Sequence, residues 1–117
     1  MSNTTVIRPV GSTTAIGVSN SSSTAVTISW SNNDQVNFAS FLNTNSFPVA
    51  VNIAQSSAGA AVLPTAGNSS VSYVLGVSMS QPIVLSVPNQ SNSFSVTAIC
   101  GGANTGTIYV TPVGDQS

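Results

Sequence analysis

The sequence predicts an all-β fold, a single-domain antiparallel β-sandwich or jelly-roll-like barrel of about eight short strands. Three observations carry that expectation. Apolar and polar residues alternate with period two in short runs, which turns one face of a strand to a core and the other to water. The runs recur at intervals of about ten residues, with polar or Gly/Pro breaks between them, as in sandwiches and small barrels. No amphipathic helical stretch of useful length interrupts them.

Each element follows from its own residues. Thr4 to Val10 reads as a short extended arm carrying Val6, Ile7 and Arg8, with Pro9 excluding a helix. Residues 1–10 are therefore set apart as an N-terminal arm and 11–117 as the sandwich domain. Thr14 to Val18 is a brief strand, followed by a polar turn from Ser19 to Ser23. Ala25 to Trp30 alternates through Val26, Ile28 and Trp30, and Ser31 to Asp34 is a strong turn.

Gln35 to Ala54 reads as a β-hairpin around which the chain is organised. Val36, Phe38 and Leu42 share one parity and Phe41 takes the other; Val49, Val51 and Ile53 follow the break. That break, Asn43 to Ser46, consists of residues whose short side chains bond nearby backbone. Gln55 to Asn68 is read as a loop, because Pro64 limits any helical turn in Ala60 to Leu63. Val71 to Val77, Ile83 to Val87, Phe94 to Cys100 and Gly106 to Thr111 supply the remaining strands. The expected interior is Val26, Ile28, Phe38, Val49, Val51, Val74, Leu85, Val96 and Ile108; Val74 is a wager on the register of its strand.

Composition narrows the function. The chain has 117 residues, 41% of them hydrophobic, enough for one modest core. Charged residues are only 3%, namely Arg8, Asp34 and Asp115, against about 25% in an average soluble protein. One Arg and no Lys cannot neutralise a run of phosphates, so no nucleic-acid partner is expected. No apolar run is long enough to span a bilayer, so no membrane is expected either. The start, MSNTTVIRPV, lacks a basic segment followed by an apolar one, and Cys100 has no second cysteine to bond. Both features suit a protein folded in a cytoplasm.

Candidates for chemistry are few. The absence of His removes the commonest general base and metal ligand. Asp34 sits in an Asn-Asn-Asp turn, where it caps local backbone, and Asp115 lies in the tail. Cys100 ends an apolar strand and is read as a buried structural thiol. Gly101 to Gly106 lacks the Lys of a phosphate cradle and reads as a hairpin loop joining the last two strands. Trp30, Tyr73 and Tyr109 are candidates for a sugar-stacking platform, although each also sits where an aromatic simply packs. The expectation is no enzyme, no metal, no cofactor and no small-molecule substrate.

A wider pattern runs through residues 25–115. It comprises Phe41 to Ile53 with its Asn-Thr break, Leu63-Pro64-Thr65-Ala66-Gly67, Ala98-Ile99-Cys100-Gly101, Gly106 to Pro112, and the tail Gly114-Asp115. In this it looks like small tailed-bacteriophage proteins encoded among capsid genes that decorate or cement the head. Many of these carry an Arg where this chain has Asn52. The resemblance implies a structural virion protein on the capsid surface, bound non-covalently to the major capsid protein and to copies of itself. The alternative is a tail-fibre-associated or host-glycan-binding module. Within the arm, Val6, Ile7 and Arg8 are the expected capsid or subunit contact, since an extended apolar terminus is ordered only when something ties it down. The alternative there is that Val6 and Ile7 form the domain's own first edge strand.

Overall fold

The computed structural model describes residues 7–30, 36–67, 69, 72–88 and 93–115. Among them the chain forms β1 (Ile7–Pro9), β2 (Thr14–Val18), β3 (Val26–Ser29), β4 (Phe38–Leu42), β5 (Val49–Ala54), β6 (Tyr73–Leu75), β7 (Ile83–Ser86), β8 (Ser93–Cys100) and β9 (Gly106–Asp115). Every pairing is antiparallel. One sheet, A, runs β1-β9-β4-β7 with β2 also on β9; the other, B, runs β3-β8-β5-β6. β1 and β2 lie end to end along one side of β9, opposite β4. Each sheet is thus four positions wide, and the eight positions, counted along the chain, read 1-8-3-6 and 2-7-4-5. This is the doubled Greek key of a jelly roll.

The split between β1 and β2 has a local cause. β9 is a central strand, yet it contains Pro112, and a proline there removes a ladder donor. The Pro112 carbonyl accepts from the Val10 amide at 3.0 Å, so the missing N–H points to the same side, where β1 and β2 part. Gly11 sits at the gap, and a Cβ on it would lie 2.8 Å from the Pro112 ring. A side chain at position 11 would collide with that ring.

The core fills the space between the sheets. Ile16, Phe41, Ile108 and Val110 of sheet A meet Ile28, Val49, Val51, Leu75, Phe94 and Val96 of sheet B. Trp30 packs at the margin, its ring 5.9 Å from that of Phe94 and tilted by 44°. Of the expected interior, Ile28, Val49, Val51, Val96 and Ile108 are buried, while Val26 and Leu85 are half-buried against the core.

Two expected core residues are corrected. Phe38 is half-buried on the outer side of sheet A, because β4 turns Ala39 and Phe41 inward. The register decides this: Phe41 pairs with Val110 and Ala39 with Pro112, whereas Phe38 pairs with Val113. Val74 is exposed and Leu75 is buried, so β6 follows the parity of Tyr73 and Leu75.

Two expected hairpins are corrected as well. β4 and β5 belong to different sheets, and so do β8 and β9. The segments Asn43 to Ser46 and Gly101 to Gly106 are arches that carry the chain across the roughly 10 Å between packed sheets. Asn43, fully buried, holds the first arch. Its Nδ2 donates to the Phe47 carbonyl at 2.9 Å and to the Gly76 carbonyl at 2.8 Å. Its Oδ1 accepts from the Asn45 backbone amide and from Asn45 Nδ2. Asn45 Nδ2 in turn reaches the Thr107 carbonyl at 2.9 Å, tying the arch to β9. In the second arch Gly102 has φ +65°, a conformation that costs a side chain energy but not glycine.

Candidate functional site

The residues expected to carry contacts are scattered. Ile7 and Arg8 form the domain's own edge strand, opposite Asp115 and Gly114 of β9. Val6 and Asp34 lie outside the described residues. The three aromatic residues do not converge: Trp30 packs on Phe94 at the end of β3, Tyr73 stands on the edge strand of sheet B, and Tyr109 lies on the outer side of sheet A. Cys100 is buried, its Sγ 3.4 Å from the Asn104 carbonyl, and burial pushes its thiol pKa up from the usual value. A thiol held in its protonated form is a poor nucleophile. Among the described residues, no three His, Cys, Asp or Glu side chains gather in a way that would hold a metal ion. No described helix is long and apolar enough to cross a membrane.

The two outer faces offer the surfaces on which a partner can act, and they are built differently. On sheet B the outward residues include Asn52, Ser95 and Thr97, with Asn52 opposite Thr97 and Ala54 opposite Ser95. The loop after β5 lies over them. Ser95 Oγ accepts from the Ala58 amide at 2.9 Å, Thr97 Oγ1 donates to the Gly59 carbonyl at 2.6 Å, and Asn52 Nδ2 donates to the same carbonyl at 3.1 Å. Farther along, Ser22 Oγ accepts from the Ala61 amide and Ser72 Oγ from the Val62 amide. Ala58 and Ala61 are buried as a result.

Sheet A carries its outward residues in cross-strand rows. Phe38 stands beside Val113, Ser40 beside Thr111 and Val84, and Leu42 beside Tyr109. On the far side of Tyr109 stands Ala15, with Gly17 two residues on, and a Cβ added at Gly17 would meet nothing within 4 Å. Beside these small neighbours Tyr109 is 39% exposed. Thr13 and Thr111 share a hydrogen bond of 2.7 Å between their hydroxyls. The rows present apolar side chains and hydroxyls, with no charge among the described side chains. Apolar side chains and hydroxyls of this kind offer shape complementarity and short-range hydrogen bonds.

Sequence reasoning missed the polar half of this arrangement. Asn43, Ser95 and Thr97 are buried, yet Asn43 opens a polar break and Ser95 and Thr97 alternate with apolar residues as solvent-facing positions do. Among the described residues no buried side-chain nitrogen or oxygen lacks a partner. The available signal was the Ala-rich loop before Pro64, whose small side chains permit its backbone to lie close to a sheet.

The class these features define is a jelly-roll β-sandwich with one face covered by its own loop and another on which Tyr109 is exposed beside half-buried Leu42 and buried Ser40 and Val113. No protein-family model, no curated protein and no solved structure matches the chain.

Proposed function

We propose that this chain is a structural virion protein that decorates and stabilises the capsid of a tailed bacteriophage by non-covalent surface binding. The observation that carries the reading is the outer face of sheet A, where Leu42, Val84 and Tyr109 stand among hydroxyls without a described charged side chain. Two further points support it. Jelly rolls serve widely as capsid and lectin domains, an argument from fold analogy. The sequence pattern through residues 25–115 resembles the head-decorating proteins, and its lack of His and Lys gives a catalytic role little to work with. In this reading the partners are the major capsid protein and further copies of the chain, and the protein folds in the host cytoplasm before joining the head. Ile7 and Arg8, already paired to β9, contribute at the rim of the same sheet rather than as a free arm.

A host-glycan module is the second reading, favoured by Tyr109 with its small neighbours Ala15 and Gly17. One exposed ring is a minimal stacking platform, which places this reading second. The test is to mix the protein with undecorated heads at low and high salt. Binding that changes little with salt supports decoration, because the surface has few charges to screen. Failure to sediment with heads at any salt, together with retention on immobilised glycans, overturns it in favour of the second reading.

A further inference from the structure

Four of the five large hydrophobic side chains exposed among the described residues cluster around β6: Val62 at 52%, Tyr73 at 45%, Val74 at 41% and Val77 at 51%. Tyr73, Val74 and Val77 lie on or just after the strand, and the Val62 amide donates to Ser72 Oγ immediately before it. β6 is also an outer strand of its sheet, pairing among the described residues with β5 alone. An edge strand normally carries a device against pairing, such as a charge, a proline or a bulge. Three of the other edges have one or are polar, and the fourth, β2, turns only the small residues Ala15 and Gly17 outward. β1 contains Pro9, β7 lies between Pro82 and Pro88, and β3 turns the hydroxyls of Thr27 and Ser29 outward. β6 has no charge or proline and is guarded only by its shortness, and its side chains are apolar on both faces, Tyr73 on one and Val74 on the other.

We propose that β6 pairs with β6 of a second copy of this chain, antiparallel about a twofold axis at Val74, joining two four-stranded sheets into one of eight. Three features favour a second copy as the occupant. A strand meeting its own twin antiparallel satisfies the same donors and acceptors on both sides, the self-complementarity that a twofold interface requires. No residue from Val71 to Gln81 is charged, so the strand and its sequence neighbours bring no like charges together. The strand is three residues long, which suits a short symmetric contact flanked by apolar side chains better than the capture of a long peptide. The inference goes beyond capsid binding: the edge pairs copies whether or not heads are present.

The twofold gives a sharp test. Directly opposed residues of antiparallel strands have Cα atoms about 4.5–5.5 Å apart, within reach of a disulfide. Val74→Cys in the full chain, under mild oxidation, gives a covalent dimer, while Thr27→Cys on the β3 edge stays monomeric; the buried Cys100 takes no part. In sedimentation equilibrium the unmodified protein dimerises, and Val74→Lys raises the dissociation constant by at least about tenfold through like-charge opposition. Because Val74 is exposed, the Lys variant keeps its β spectrum and, at dilutions where the parent is monomeric, its melting temperature. A monomer at every concentration, or a Val74→Lys variant that dimerises as well as the parent, overturns the proposal. Loss of head binding with dimerisation intact counts against the capsid reading alone.

Discussion

The two outer faces of the sandwich solve the same problem in opposite ways. On sheet B the chain lays its own loop over the strands, and hydroxyls at Ser95 and Thr97 bond that loop's backbone. On sheet A the outward side chains cover one another across the strands, with Phe38 against Val113 and Leu42 against Tyr109. The difference shows what alternation means in a protein with almost no charge. A polar residue on an outer face can be fully buried, and an apolar one can remain at the surface. On sheet B polar side chains contribute stability by meeting backbone; on sheet A apolar side chains pack across the strands and leave Tyr109 exposed.

The largest expected effect tests whether the outer side of sheet A is a second core. Phe41 is fully buried in the core, whereas Phe38, three residues earlier, is half-buried on the outer face. Phe41→Ala is expected to cost about 3–5 kcal/mol through lost transfer energy and the cavity left behind. Phe38→Ala is expected to cost about 1–2 kcal/mol, because less of its surface is withdrawn from water. Urea titration of the two variants gives the comparison, and equal losses would mean that Phe38 too is covered by a packed layer.

That pair of residues also marks where the sequence stopped being informative. Strand positions are local, and alternation located β2 at Thr14 to Val18 and the other elements to within a few residues. Parity in β4 is not local. Phe38 and Leu42 offer one apolar stripe and Phe41 another, and only the pairing of Phe41 with Val110 settles which faces in. The arches were hidden for a related reason. Asn43 to Ser46 has the turn chemistry of a hairpin, but whether a turn joins neighbours or crosses between sheets depends on the more distant strands that pair with β4 and β5. Asn43 itself joins Phe47 and Gly76 in one hydrogen-bond cluster, and that contact over 33 residues has no sequence signature.

A second expectation concerns the covered face. Ser95→Ala removes the acceptor of the Ala58 amide, which is buried under the loop. Leaving that donor without a partner is expected to cost about 1–3 kcal/mol. Hydrogen exchange at Ala58 should accelerate in the variant while exchange in β9 stays unchanged. Unaltered protection at Ala58 would show that the loop is held by packing alone.

The open face should respond in the opposite sense, in binding and not in folding. Tyr109→Ser removes the most exposed large side chain among the outward residues of sheet A. In cosedimentation with undecorated heads it is expected to weaken binding about tenfold, as the loss of an aromatic anchor does. Its melting temperature should fall less than that of Ser95→Ala. A variant that unfolds more easily yet binds heads normally would assign Tyr109 to stability and move the contact elsewhere.

The smallest effect comes from making one substitution on both faces. Val has nearly the shape of Thr but no hydroxyl, so Thr→Val isolates the hydrogen bond from most of the packing. At position 97 the hydroxyl donates to the Gly59 carbonyl at 2.6 Å beneath the loop, and Thr97 is only 2% exposed. Its loss is expected to cost about 1 kcal/mol; Asn52 still reaches the Gly59 carbonyl, so the acceptor is not orphaned. At position 111 the hydroxyl meets Thr13 Oγ1 at an exposed site, where water can replace either partner. There the change is expected to stay within about 0.5 kcal/mol, and the added β-branched apolar surface partly offsets the lost bond. The quantity to measure is the difference between the two midpoints in urea. If Thr111→Val cost as much as Thr97→Val, the hydroxyls of sheet A would be as buried in function as those of sheet B, and the contrast between an open and a covered face would fail at its most sensitive point.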